Sequence, residues 1–306
     1  MSNAHRPKMV AVGGACATSI YRVDAVPPLP AKALANALCR VADGMAISAA
    51  CGFTRLGGEA AIWARVGDDV DGAFIRASLA AEGLDVSAIR VLHPGRSSSV
   101  AVIVDRSGQR LVVPFHDPML DDSAAWLPLD DLRGVAMVHV DARWPAGASL
   151  ALEAARARGI PTMLDGDIAP REVLARLVPL ADFAVFSDAG LLAYTGSSDV
   201  DAALVHVAAS HDGHVGATCG RDGYAWCERG LLRRVPAPAV EVVDTLAAGD
   251  IFHGAFALAI LEGQPVADAA RFACTAASLK CARFGGRVGC PTRAEVDAAR
   301  GAGVGG

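Results

Sequence analysis

The sequence has no uninterrupted apolar run approaching the roughly 20 residues that a membrane-spanning helix needs, although 53% of its 306 residues are hydrophobic. It has no excess of positive charge. Lys and Arg number 28 against 33 Asp and Glu, a formal charge of -5 at pH 7, which argues against the basic face of a nucleic-acid binder. None of the eight cysteines (Cys16, Cys39, Cys51, Cys219, Cys227, Cys274, Cys281, Cys290) belongs to a C-x-x-C pair. Scattered in this way, they read as reduced core thiols rather than disulfides or metal ligands. No repeat of fixed period occurs. The start, Met1 to Lys8, is polar and short and does not read as a secretory leader. These absences leave a cytoplasmic globule with one domain over residues 1–300 and a flexible tail, 301–306.

What is present is alternation. Met9 to Val12, Ala60 to Val66, Val135 to Val140, Pro161 to Leu164, Phe183 to Phe186 and Val215 to Thr218 are short apolar runs suited to buried strands. Gly44 to Leu56, Val70 to Glu82, Ser149 to Arg158 and Arg171 to Val178 read as helices between them. This order predicts an α/β fold with a central, mostly parallel sheet. Two excursions interrupt it. Residues 15–42 contain a half-polar alternating run broken by Pro27-Pro28-Leu29-Pro30, and 95–115 contain a hairpin signal around Arg106-Ser107-Gly108. Together they predict a small antiparallel β flap, a lid over one end of the sheet. Thr292 and Glu295 form a capping box that opens the last helix.

Ligands of such sheets bind beyond the carboxyl ends of the strands. Asp141, Arg143, Asp165, Asp167, Ser187, Thr218 and the stretch Asp244 to Asp250 all fall there. Each is also an ordinary turn or cap residue, and their recurrence at one end is the signal. The densest cluster is Val243-Asp244-Thr245-Leu246-Ala247-Ala248-Gly249-Asp250. Val242 and Val243 read as a strand end, and an apolar helix follows from Ile251 and stops at Gly263. A small-residue turn at a helix N-terminus frees the N–H groups of Ala247, Ala248 and Gly249 for an anion. Asp250 beside them is either a helix cap or a proton acceptor for a hydroxyl.

The whole stretch resembles the D-T-x-G-A-G-D-x-F signature of the ribokinase-like (PfkB-type) carbohydrate kinases, with Ala247 in place of the first glycine. The resemblance extends from about residue 8 to 297. It includes Arg55-Leu56-Gly57, Gly67-Asp68-Asp69-x-x-Gly72, Thr218-x-Gly220-x-x-Gly223 and the late loop Phe284-Gly285-Gly286-Arg287-Val288-Gly289. It implies a ribokinase-like sandwich and ATP-dependent phosphorylation of a hydroxyl of a small sugar or anionic sugar derivative. Asp250 would be the general base, and Ala247, Ala248 and Gly249 the anion hole. The cofactors implied are ATP, Mg2+ and a monovalent cation (K+) near Asp244. Thr218, Gly220, Gly223, Asp244, Thr245, Gly285 and Gly286 would serve the nucleotide. A homodimer through the β lid is also implied. A nucleoside kinase of the same fold and a non-catalytic sugar or nucleotide sensor are the alternatives.

The departures concern substrate and metal. Thr18 stands where the family holds sugar hydroxyls with an Asp. The G-G-x-x-x-N motif reads Asp43-Gly44-Met45-Ala46-Ile47-Ser48, and N-x-x-E reads Ser187-Asp188-Ala189-Gly190, without its Glu. Asp165 and Asp167 of Asp165-Gly166-Asp167 are candidates to replace that acid near the metal. Asp141-Ala142-Arg143-Trp144 and Leu279-Lys280-Cys281 resemble the sulfofructose-kinase-like branch, where the Arg and a flap Lys hold an anionic group. Arg143 and Lys32 match those positions, while Pro114 stands where that branch has an Asn. The substrate residues expected are therefore Thr18, Lys32, Gly44, Ser48, Arg143 and Asp250.

Overall fold

The computed structural model describes residues 6–26, 32–106, 108 and 110–302. The frame is a nine-stranded sheet. In chain order its strands are β1 (Lys8–Val12), β4 (Glu59–Gly67), β5 (Ile89–Leu92), β8 (Met137–Asp141), β9 (Thr162–Gly166), β10 (Phe183–Ser187), β11 (His214–Thr218), β12 (Tyr224–Glu228) and β13 (Leu231–Val235). Across the sheet they run β13-β12-β11-β10-β9-β8-β1-β4-β5. All neighbours are parallel except the pairs that β12 makes with β11 and β13.

Both faces are covered, which is why the strands read as continuous apolar runs. Met9, Ala11, Ile62 and Met163 point into one core, shared with α1 (Met45–Arg55), α7 (Ala248–Leu261) and α8 (Val266–Cys281). Val10, Val12, Leu164 and Phe186 point into the other. That face is covered by α3 (Pro145–Arg156), α4 (Arg171–Leu177), α5 (Asp188–Thr195) and α6 (Val200–Ala208). Two further helices, α2 (Val70–Ala81) and α9 (Arg293–Ala302), complete the layer of α1. The capping box at α9 forms, with the Thr292 N–H donating to Glu295 Oε2 at 2.7 Å. That helix takes in Gly301, and the rest of the expected tail, from 303 on, lies outside the described residues.

The second sheet has four strands, β2 (Cys16–Arg22), β3 (Ala37–Asp43), β6 (Ser98–Val104) and β7 (Arg110–Phe115), ordered β3-β2-β6-β7. Its two hairpins are antiparallel, but the central pair β2 and β6 is parallel, so the lid is mixed rather than purely antiparallel. The reason is topological. β2 follows β1 and β6 follows β5, and both leave the same edge of a parallel sheet, so they run the same way. Strand alternation then sorts the lid's side chains. Thr18, Val100, Val112 and Pro114 face a cavity, while Tyr21, Leu38, Leu111, Val113 and Phe115 are exposed on the outside.

One expected strand end is absent. Val242 and Val243 lie in irregular chain before α7, held by the Val243 and Asp244 N–H groups donating to the Cys281 carbonyl at 2.8 and 3.0 Å. A turn pinned to α8, not a strand, delivers this segment.

Candidate active site

Two helix N-termini meet over the sheet's carboxyl edge. α1 and α7 cross so closely that a Cβ on Gly254 would lie 2.1 Å from the Ala49 carbonyl oxygen. The crossing brings Gly44, which precedes α1, near Asp250 in the first turn of α7. Gly44 has φ 138°, and a Cβ there would meet the Gly14 carbonyl at 2.0 Å, so this position demands glycine. Asp141, fully buried at the end of β8, holds the same junction. Its Oδ1 accepts from the N–H groups of Gly14 and Arg143, and its Oδ2 accepts from the Ala46 N–H at 3.0 Å. Burial raises the Asp141 pKa above its ordinary value, against these donors.

Two cavities adjoin this point. The first, of about 610 Å³, is lined among others by Thr218, Gly220, Gly223, Thr245, Ala248 and Gly249. The expected nucleotide residues Thr218, Gly220, Gly223 and Thr245 therefore come together. The sequence reading missed the far wall, where Cys274, Ala277, Ser278 and Cys281 form a small-residue stripe of α8. Their i, i+3, i+4, i+7 spacing was the available signal. It also missed Arg110, which reaches from the lid to donate to Thr245 Oγ1 at 2.7 Å.

The second cavity, of about 630 Å³, is lined by Thr18, Asp43, Gly44, Arg65, Arg143 and Asp250 among others. Thr18, Gly44, Arg143 and Asp250 were expected. Asp43 and Arg65 were not assigned to it. Asp43 pairs with Cys16 across the β2–β3 hairpin, and its Oδ1 accepts the Ser48 hydroxyl at 2.6 Å. Ser48 itself is fully buried and reaches the cavity only through Asp43. Arg65 is held by Asp122 at 2.8 Å and by the Asp121 carbonyl at 2.7 Å. Arg143 donates to the Ile168 carbonyl at 2.9 Å and meets Asp167 Oδ2 at 3.3 Å. Lys32 is exposed and does not line the cavity; residues 27–31 beside it lie outside the described residues.

The first turn of α7 separates the two cavities. Ala247 has φ 63° and ψ 12°, the left-handed region that glycine favours. The Ala248 N–H turns back to the Thr245 carbonyl at 3.3 Å, which narrows the expected anion hole. Among the described residues, the N–H groups of Ala247 and Gly249 have no acceptor. Asp250 is half-buried at the cavity floor. Burial first, then the charges of Asp165, Asp43, Asp167 and Asp141, hold its pKa well above the ordinary carboxylate value.

Beneath Asp250, Asp165 is buried, with Oδ2 3.6 Å from His253 Nδ1. Burial, with Asp167 and Asp141, raises the Asp165 pKa to about 6, against the pull of His253. His253 Nδ1 also lies 2.8 Å from the Gly249 carbonyl, so it braces the turn from below. Asp167 is committed elsewhere, to Arg143 and to the Ser187 hydroxyl at 2.8 Å. Among the described residues no three or more His, Cys, Asp or Glu side chains are grouped to hold a metal ion.

The late glycine loop differs from expectation. Gly285 and Gly286 do not line the first cavity. Their N–H groups donate to Asp244 Oδ2 at 3.0 and 2.8 Å, and Cβ atoms there would press on Val288, Ile20 and Leu246. The next residue, Arg287, donates to the Ala42 carbonyl and pairs with Glu82 at 2.6 Å, tying the root of the lid to α2. Asp244, 1% exposed, is likewise a loop anchor that touches neither cavity.

The pfkB family carbohydrate kinase pattern matches residues 7–293. A fructokinase of Klebsiella pneumoniae is 30% identical over 236 residues, covering 70% of this chain and 75% of that protein. A ribokinase of Bacillus subtilis is 26% identical over 94% of this chain and 98% of its own length. A crystal structure from Agrobacterium tumefaciens, provisionally assigned as a ribokinase, superposes with a TM-score of 0.94 at 39% identity, covering 98% and 99% of the two chains.

Proposed function

The chain belongs to the pfkB family of carbohydrate kinases, and from that premise we propose that it transfers the γ-phosphoryl group of ATP to a hydroxyl of a small sugar bearing an anionic group. One observation carries the reading. Two cavities of similar size share the first turn of α7 as their common wall, with Ala248 and Gly249 lining one and Asp250 the other. A phosphoryl group crossing that wall meets free N–H donors at the positive end of a helix, while the acceptor hydroxyl meets a carboxylate.

In this reading ATP lies along Thr218, Gly220 and Gly223 with its phosphates toward Gly249. Asp250 accepts the hydroxyl proton as the new O–P bond forms and the bond to the β-phosphate oxygen breaks. Magnesium bound to the nucleotide phosphates supplies charge neutralisation. Asp165, beside His253, and Asp167, tied to Arg143 and Ser187, do not offer a ready cage for the ion. Asp43 supplies the carboxylate for hydroxyl recognition that Thr18 lacks, and Arg143 with Arg65 faces the anionic group. The lid closes over the sugar and excludes water, which would otherwise compete as acceptor. Its outer face, with Leu111, Val113 and Phe115 exposed on β7, serves as a homodimer surface.

The test is ADP release from ATP against a panel of neutral sugars, sugar phosphates, sugar acids and nucleosides. Turnover best with an anionic sugar is expected. Preference for a nucleoside would replace the substrate assignment, and binding without turnover across the panel would reduce the protein to a sensor.

A further inference from the structure

The oxygens that a monovalent cation would take at Asp244 already carry a cation from the chain itself. Lys280 Nζ donates to the Asp244 carbonyl at 2.6 Å and lies 3.4 Å from Asp244 Oδ2. Lysine is 0% exposed and its partner 1%. The rest of the carboxylate is occupied. Oδ2 also receives the N–H groups of Gly285 and Gly286, and Oδ1 receives that of Leu246 at 2.8 Å. Lys280 stands in the last turn of α8, where unpaired carbonyls favour positive charge. Arg110 adds a second positive charge close enough to act on Lys280. A free ion at this spot would meet like charge in a site shielded from water.

We propose that Lys280 is a tethered replacement for a monovalent cation, ordering the loop 244–249 and with it the anion hole before Asp250. It is a positioning residue and does not touch substrate. Its ammonium neutralises Asp244 and fixes that residue's carbonyl, and the same carboxylate fixes Leu246, one residue before Ala247. Because the charge is covalently attached, no ion has to bind and none has to be supplied. The protein should therefore be indifferent to the identity of the monovalent cation. The activity arm of the test rests on the kinase reading, and the stability arm does not.

Wild-type protein is compared in potassium, sodium and tetramethylammonium chloride at one ionic strength, by rate of ADP formation and by thermal unfolding midpoint. Equal rates and equal midpoints are expected. Lys280→Met removes the charge and keeps the length. Its rate and midpoint should fall, and potassium should recover the rate about tenfold over tetramethylammonium, the effect of ~1.4 kcal/mol, and raise the midpoint as a bound ion does. A wild-type rate or midpoint that rises with potassium overturns the proposal, as does a Met variant with wild-type behaviour in all three salts. If the variant does not fold, the wild-type salt comparison decides alone. If no acceptor is phosphorylated, the kinase reading fails while the wild-type midpoints still decide the role of Lys280.

Discussion

Gly249 and Asp250 are consecutive residues of one helix turn, yet they line different cavities, the glycine on the Thr218 side and the aspartate on the Arg143 side. A donor phosphate and an acceptor hydroxyl bound in these two spaces would approach each other across a single peptide unit. Asp250→Asn tests the arrangement with little change of shape. Turnover should fall by about 10²–10⁴-fold, the usual contribution of a general base, while nucleotide affinity measured by calorimetry stays near wild type. A variant retaining more than about a tenth of wild-type kcat would remove Asp250 from the reaction.

The raised pKa of Asp250 gives a second test, with a definite sign. A base works only when deprotonated, so its activity is lost as pH falls through its pKa. Burial and four neighbouring carboxylates raise that value, with Asp165 the largest of the four. The acid limb of kcat should therefore lie above the ordinary carboxylate range. Asp165→Asn deletes one negative charge beneath the site, lowers the Asp250 pKa and moves the limb to lower pH. An unmoved limb with normal folding would show that Asp165 does not act on the base.

Why some of this was legible and some not is physical. The parallel strands were readable because both faces are buried, so each left a run such as Met9 to Val12. The lid was readable because one face lines the cavity and the other meets solvent, giving alternation. The turn before Asp250 was readable because small residues stand at consecutive positions just before an apolar helical run. Asp43 was hidden because its place at the cavity depends on pairing with Cys16 across a long hairpin, a neighbour that local spacing does not reveal. The late glycine loop was hard to interpret because glycine reports only a backbone requirement, and here the Gly285 and Gly286 N–H groups turn to Asp244. Lys280 stood out only within the Leu279-Lys280-Cys281 resemblance and gave no sign of its partner, since a lysine at a helix end is ordinarily solvated and its burial depends on Asp244, 36 residues away.

Ala247 holds a left-handed conformation with a side chain that disfavours it. Replacing it with glycine relieves the clash between Cβ and backbone, at about 1 kcal/mol, and the flexibility gained by the unfolded chain offsets part of this. Ala247→Gly should raise the unfolding midpoint by about 1–3 °C for a chain of this size. Scanning calorimetry of the ligand-free protein checks it. A lower midpoint would mean that the loop depends on the stiffness of alanine.

The two ends of the second cavity should fail differently. At one end Asp43 lines the cavity with Oδ1 held by Ser48, and its Oδ2 would be the oxygen to meet sugar hydroxyls. At the other, Arg143 is only partly spent on Asp167 at 3.3 Å, and its side chain is 38% exposed. A bidentate carboxylate, sulfonate or phosphate would displace that weak contact. Hydrogen bonds to charged groups contribute roughly 1.5–3 kcal/mol, so either loss should cost about ten- to hundred-fold in kcat/KM. Asp43→Asn should impose that loss on neutral and anionic sugars alike. Arg143→Ala should impose it on anionic sugars alone, and leave neutral ones near wild type. If Arg143→Ala lowers activity equally on ribose and on its acidic or phosphorylated relatives, Arg143 is a structural partner of Asp167 and the anionic-substrate assignment falls, while the phosphoryl-transfer assignment, which rests on Asp250, stands.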